Sequence, residues 1–156
     1  MEDFALTPAE RALFAALRNR GIKFLIVGLG AAVLEGAPVA TQDIDLWFDK
    51  LDGDALALAA KDAGGFWVPA FGMQPPAFGG DGLTRIDVVL TAHGLRRFLD
   101  EYDASIDREI EGVTVRVLPL ERVIASKRAT GRPKDAASLP ALEATLRAKR
   151  DSATEK

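Results

Sequence analysis

The sequence predicts an α+β domain in which a mixed β-sheet is flanked by helices, with further helices at its C-terminal end. Three observations lead there. Apolar spacing switches several times between the helical period and the strand period. Glycine and proline clusters mark most of the switches. Strand-like and helix-like segments alternate along the chain, the pattern of a layered sheet rather than of a bundle or a sandwich.

The elements follow in order. Thr7-Pro8-Ala9-Glu10 is a capping box with proline at the first helical position; Leu13, Phe14 and Leu17 continue a helix that Gly21 stops. Phe24-Leu25-Ile26-Val27 is a continuous apolar run, as in a strand buried on both faces. A short helix over Gly30–Glu35 ends at Gly36 and Pro38. Asp43–Phe48 alternates, placing Ile44, Leu46 and Phe48 on one strand face. Asp54–Ala63 has helical spacing and stops at Gly64-Gly65. Phe66–Phe78, with its Pro75-Pro76 pair, reads as part strand and part loop. After the turn at Gly79–Gly82, Leu83–Leu90 is a strand and His93–Tyr102 a helix, with Leu95, Phe98 and Leu99 inward. Ile106–Ile110 and Val113–Leu118 form a hairpin around Glu111-Gly112. Helices over Leu120–Thr130 and Ala136–Lys149 flank a break at Gly131-Arg132-Pro133, where Asp135 reads as the cap of the last helix. Residues 1–150 form one domain, and the polar residues 151–156 a flexible tail.

Composition narrows the chemistry. At 156 residues the chain has the length of one domain with its own core. Its 48 % hydrophobic and 28 % charged content excludes a disordered polymer. No apolar run reaches the ~20 residues of a membrane helix, and Met1-Glu2-Asp3-Phe4 lacks a basic leader, so a cytoplasmic location is expected. The absence of cysteine excludes disulfides and thiolate chemistry, and the single His93 argues against a histidine zinc site or a Ser-His-Asp triad. His93 itself reads as a surface or capping residue. A net charge of -3 argues against binding long DNA or another extended nucleic acid. The cluster Arg147–Arg150 reads as a solvated helix end. The reactive groups must therefore be carboxylates, lysines, arginines and backbone.

Thr41-Gln42-Asp43-Ile44-Asp45-Leu46 is the most informative segment. Residues two apart on a strand share a face, so Asp43 and Asp45 stand together, and like charges that close call for a cation. In Arg85-Ile86-Asp87-Val88 the alternation sets Asp87 opposite Ile86 and Val88. Hard divalent ions take carboxylate oxygens, and three such groups on neighbouring strands can hold two metals in the manner of phosphoryl-transfer sites. Val27-Gly28-Leu29-Gly30 follows a buried strand and opens a helix, a place for phosphate or simply for close packing. Trp47 shares the face of Asp43 and Asp45; it, Trp67 and Phe71 are core residues or stacking surfaces for a base.

The stretch Phe24–Phe48 resembles the signature of the DNA polymerase β-type nucleotidyltransferase superfamily: apolar strand, glycine turn, short helix, then Asp-x-Asp on the next strand. It is most similar to the small bacterial branch of minimal nucleotidyltransferases and abortive-infection toxins, whose helical segment also resembles Leu120–Lys127 and Gly131–Asp135. The resemblance implies a nucleotidyltransferase fold and Mg²⁺-dependent transfer of an NMP group from an NTP. It implies two ions, with Mn²⁺ as an alternative. Asp43, Asp45 and Asp87 would be the catalytic, metal-binding carboxylates. Gly28, Gly30 and Thr41 would face the nucleotide, with Lys127, Lys134 and Arg132 near its phosphates. The acceptor could be tRNA or another RNA, a protein or a small molecule, and an antitoxin partner could exist. Leu29 replaces the family's small or hydroxyl residue, and Val39 stands where an arginine is frequent. Those departures suit the alternative of a catalytically degenerate binding module acting through a partner protein; a phosphodiesterase or nuclease using the same carboxylates is a third reading.

Overall fold

A computed structural model describes residues 5–154. The chain runs α1 (Pro8–Asn19), β1 (Phe24–Val27), α2 (Gly28–Leu34), β2 (Ile44–Phe48), α3 (Gly53–Asp62), β3 (Phe66–Val68), β4 (Ala77–Gly79), β5 (Ile86–Val89), α4 (Phe98–Asp103), β6 (Ile106–Ile110), β7 (Val113–Val117), α5 (Leu120–Thr130) and α6 (Pro133–Thr154). Five strands form one mixed sheet in the order β5-β2-β1-β7-β6, and β3 with β4 makes a separate hairpin. β1 is antiparallel to β2 and parallel to β7, while β2 is parallel to β5. This is the mixed sheet flanked by helices that the sequence predicts. No described helix is long and apolar enough to cross a membrane.

The sheet separates its two faces by residue parity. Phe24, Ile26, Ile44, Leu46 and Phe48 are buried together, and Phe14 of α1 stacks on Phe24 with ring centroids 5.7 Å apart. Phe48 then meets Phe78 of the hairpin at 6.1 Å. The opposite face carries Leu25, Val27, Asp45 and Trp47 in register, Leu25 beside Trp47 and Val27 beside Asp45. That parity keeps charge off the aromatic core.

The capping box of α1 forms as predicted: Glu10 N–H donates to Thr7 Oγ1 at 3.0 Å and Thr7 N–H to Glu10 Oε1 at 2.8 Å. The same buried Glu10 accepts two hydrogen bonds from Arg85 at 2.8 and 2.6 Å, tying α1 to the start of β5.

Four element boundaries differ from expectation. α2 begins at Gly28 rather than Gly30, because Gly28 itself adopts φ +66° and turns the chain out of β1. β5 is confined to Ile86–Val89, since Leu83 N–H and Ile86 N–H close turns onto Gly80 and Leu83 carbonyls. The helix expected from His93 starts only at Phe98. Gly94 sits at φ +74° where a Cβ would lie 2.5 Å from Ala129 Cβ, so residues 91–97 run as a loop pressed onto α5. α6 begins at Pro133 and continues to Thr154, beyond Arg150, with nothing in Asp151-Ser152-Ala153 to break it. The rest of the expected tail, 155–156, and Met1–Phe4 lie outside the described residues.

Candidate active site

The carboxylates are set by strand register. β2 pairs with β5 so that Asp45 lies directly beside Asp87, and β1 pairs with β2 so that Val27, the residue before Gly28, lies on the other side of Asp45. Asp45 is half-buried and Asp87 exposed. Asp43 is exposed just ahead of β2, where its N–H donates to Thr41 Oγ1 at 3.3 Å and the Thr41 hydroxyl donates to Asp43 O at 3.0 Å. Thr41 thus fixes the turn that delivers Asp43.

Gly28 is required by space as well as by its positive φ. A Cβ there would come 2.4 Å from Asp45 Oδ2. The Gly28→Ala substitution is therefore expected to lower stability by about 1–2 kcal/mol for the left-handed backbone alone, and to swing the Asp45 carboxylate out of place. Urea unfolding measures the first effect, and loss of nucleotide response without loss of fold measures the second.

Like charge and burial act on this row together. Burial pushes the Asp45 carboxyl above its usual range, and the neighbouring Asp87 and Asp43 push it further, against a weaker downward pull from Lys127 and Lys134. Burial and Asp43 likewise raise Asp87. The three side chains are not drawn to a common point: among the described residues, no group of three His, Cys, Asp or Glu is placed to hold an ion. The backbone register sets Asp45 beside Asp87, and Asp43 lies just ahead of β2, two residues before Asp45. An all-carboxylate donor set beside a glycine with no Cβ fits a hard divalent cation.

Across from Asp45 stand α5 and the first turn of α6. A cavity of about 370 Å³ is lined by Gly28 and Asp45 on one side and by Ser126, Lys127 and Thr130 of α5 on the other. Arg132 and Asp135 close one end, and the 91–97 loop, including Thr91 and His93, supplies a wall. Asp135 is fully buried and is not an N-cap: it lies in the first turn of α6, which starts two residues earlier at Pro133. Its carboxylate accepts from Arg132 Nε at 2.7 Å and from Lys127 Nζ at 3.0 Å. The Arg132 hydrogen bond, assisted by Lys127, holds its carboxyl at about 2 despite burial. Lys127 and Arg132 thus share one buried anion, and Lys127 and exposed Lys134 draw on Asp45 through their charge.

Of the residues singled out in the sequence, Gly28, Asp45 and Lys127 line one cavity, with Arg132. Asp43 and Thr41 instead line a neighbouring cleft of about 600 Å³ beside the 36–43 loop and Arg85. Asp87 adjoins Asp45 in the sheet. Gly30 is buried within α2, and Lys134 acts on Asp45 through its charge. Trp47 meets Phe98 edge-on at 5.2 Å and 81°, and Trp67 meets Phe78 at 4.9 Å, so both are packing residues; Phe71 is exposed on the hairpin. Ser126, Thr130 and Thr91 were missed as lining residues. The α5 residues had a signal, since Val123, Ser126, Lys127 and Thr130 repeat at helical spacing on one face.

No protein-family model matches the sequence, and no curated protein matches it. Solved structures do. The crystal structure of ANT(2″)-Ia in complex with adenylyl-2″-tobramycin is similar over 89 % of this chain and 88 % of that one, with 21 % identity and a TM-score of 0.56. The solution structure of the antibiotic-resistance factor ANT(2″)-Ia is similar over 94 % of both chains, with 17 % identity and a TM-score of 0.53. An antigenic nucleotidyltransferase-like protein from Paracoccidioides brasiliensis is similar over 89 % of this chain and 75 % of that one, with 19 % identity and a TM-score of 0.58. The chain has the nucleotidyltransferase fold.

Proposed function

We propose that the protein is a metal-dependent nucleotidyltransferase that moves an NMP group from an NTP to an acceptor hydroxyl or amine. The observation that carries this reading is the cavity in which Asp45, Gly28 and the Lys127–Asp135–Arg132 group face one another, with Asp87 in register beside Asp45. Asp43, Asp45 and Asp87 are the residues that would hold Mg²⁺, or Mn²⁺ in its place. Bound there, two such ions would neutralise charge on the attacking and leaving oxygens of an in-line displacement. The protein's own groups do the rest. Lys127 and Arg132, already oriented by buried Asp135, receive the phosphates that leave as pyrophosphate. Asp87, beside Asp45 in the sheet and with its carboxyl raised by burial and by Asp43, would accept the acceptor's proton as the new bond to the α-phosphorus forms. Thr41 supports the turn that presents Asp43, and Gly30 lies buried in α2 two residues beyond Gly28. The ANT(2″)-Ia complex, which holds adenylyl-2″-tobramycin, supports testing small-molecule acceptors first, before RNA and protein.

A second reading, a binding module without catalysis, draws on Leu29 and Val39. Both are half-buried against the core and offer no polar group to a phosphate. The two readings part in a thermal-shift titration with each NTP and Mg²⁺. Active-site binding is expected to raise Tm, adding about 2.7 kcal/mol of stability at a ligand concentration one hundred times Kd. The rise should vanish with Asp43→Ala. Pyrophosphate release on adding an acceptor then identifies transfer, and its absence with every acceptor class, alongside intact NTP binding, supports the module.

A further inference from the structure

A second charged cavity lies at the other end of β1. It has a volume of about 200 Å³ and is lined by Arg18 of α1, by Gly21 and Lys23 just after it, by Phe24 of β1, by Tyr102 of α4 and by Arg116 of β7. Three cations and no carboxylate line it, in a chain whose net charge is -3. Among the described residues Arg18 and Lys23 make no ion pair. Arg116 has one distant partner, Asp107, at 3.7 Å and largely exposed.

Arg116 is held in advance of any ligand. Its Nε donates to Ser105 Oγ at 2.8 Å, its Nη2 donates to Tyr102 O, and its guanidinium lies 4.6 Å from the Tyr102 ring centroid. Lys23 Nζ lies 5.5 Å from the same centroid. An aromatic ring that holds two cations in place reduces the rotamer entropy a ligand must overcome. At the end of α1, Arg20, Gly21 and Ile22 N–H donate to Ala16, Arg18 and Leu17 O at 3.0, 3.0 and 2.9 Å. The strand between this cavity and the Gly28 turn separates them by roughly 15 Å at ~3.3 Å per residue.

We propose that this cavity is an anion site, distinct from the carboxylate row, that takes a phosphoryl group. Three cations lining one small cavity, one of them a guanidinium held in place by Ser105 and Tyr102, suit a compact dianion better than a single carboxylate. The site does not depend on nucleotidyl transfer, and its test needs neither nucleotide nor metal.

The full chain is titrated with sodium phosphate against sodium chloride at matched ionic strength, following Tm and backbone amide NMR shifts. Phosphate is expected to raise Tm and to shift the Gly21 and Lys23 amides. The Arg18→Gln/Lys23→Gln double variant should weaken the response at least about tenfold, the effect of losing one charge-assisted hydrogen bond or more. The phosphate shifts of the Gly21 and Lys23 amides, read apart from Tm, should be the same in Lys127→Gln, whose side chain lies at the other end of β1. Gly21 and Lys23 amide shifts that are retained by the double variant, abolished by Lys127→Gln, or no greater than those with chloride overturn the proposal. A short RNA oligomer that displaces phosphate here marks the source as a polymer backbone, and one that does not marks a free phosphoryl compound.

Discussion

Asp45→Asn is expected to abolish Mg²⁺-dependent nucleotidyl transfer while leaving the melting temperature of the metal-free protein equal or higher. Of the three carboxylates, Asp45 is the most enclosed, and only it adjoins both Asp87 and the Gly28 turn in register. Asparagine keeps its size and one oxygen but removes the charge. Losing several kcal/mol of transition-state stabilisation at that position lowers the rate by about 10³-fold or more, at 1.36 kcal/mol per factor of ten. Stability moves the other way. Burial, Asp87 and Asp43 all raise the folded carboxyl of Asp45 above its unfolded value. Such a group favours the fold fully below the unfolded value, 3.8, and that contribution is lost as pH rises through the raised folded value. At neutral pH the ionised carboxylate is therefore a cost that asparagine removes. Tm measured at pH 7 and at pH 4 checks this: the variant's advantage should shrink at the lower pH, where wild-type Asp45 takes up its proton. Transfer that survives in the variant would remove Asp45 from the mechanism.

What could be read from the sequence is what depends on local period. Alternation placed Asp45 and Asp87 away from the core, and the glycine after an apolar strand marked the turn, because both follow from side-chain direction along a strand. The capping box and the 106–117 hairpin were legible for the same reason. Features that depend on a distant partner were not. Asp135, two residues after Pro133 at a helix start, has the local look of a cap; only the fold shows that its carboxylate belongs to Lys127 of α5 and to Arg132. Leu95, Phe98 and Leu99 have helical spacing, yet Gly94 packs on Ala125 and Ala129 of α5, Leu99 is left 45 % exposed, and the helix waits until Phe98. His93 comes to the cavity wall through that same loop. In each case tertiary packing overrode a correct local preference.

The loop's position leads to the largest stability effect, at Glu101. This carboxylate is fully buried and accepts from Arg122 Nη2 at 2.7 Å, from the Arg96 backbone N–H at 2.9 Å and from Arg96 Nη2 at 3.2 Å. It therefore fastens α4 and the end of the 91–97 loop to α5, and with them one wall of the Asp45 cavity. Burial alone would raise its carboxyl, but the hydrogen bonds from Arg122 and Arg96 prevail and hold it at about 2. Glu101→Gln removes the anion that two partly exposed guanidinium groups share, and losing such charge-assisted hydrogen bonds costs roughly 1.5–3 kcal/mol. For a domain of this length that lowers Tm by roughly 3–12 °C at neutral pH. The sign of the pH dependence follows from the depressed value. The wild type holds this stability above 4.5 and loses it as pH falls toward about 2, so the gap between wild type and Glu101→Gln should close over that interval. A gap that stays constant from pH 7 to pH 2 would mean that packing, not the ionised carboxylate, anchors the loop. Nucleotide affinity gives an independent reading, because a released 91–97 loop widens the cavity without touching Asp45 or Lys127. In Glu101→Gln held well below its Tm, NTP binding should weaken even though every carboxylate of the β2–β5 row remains in place.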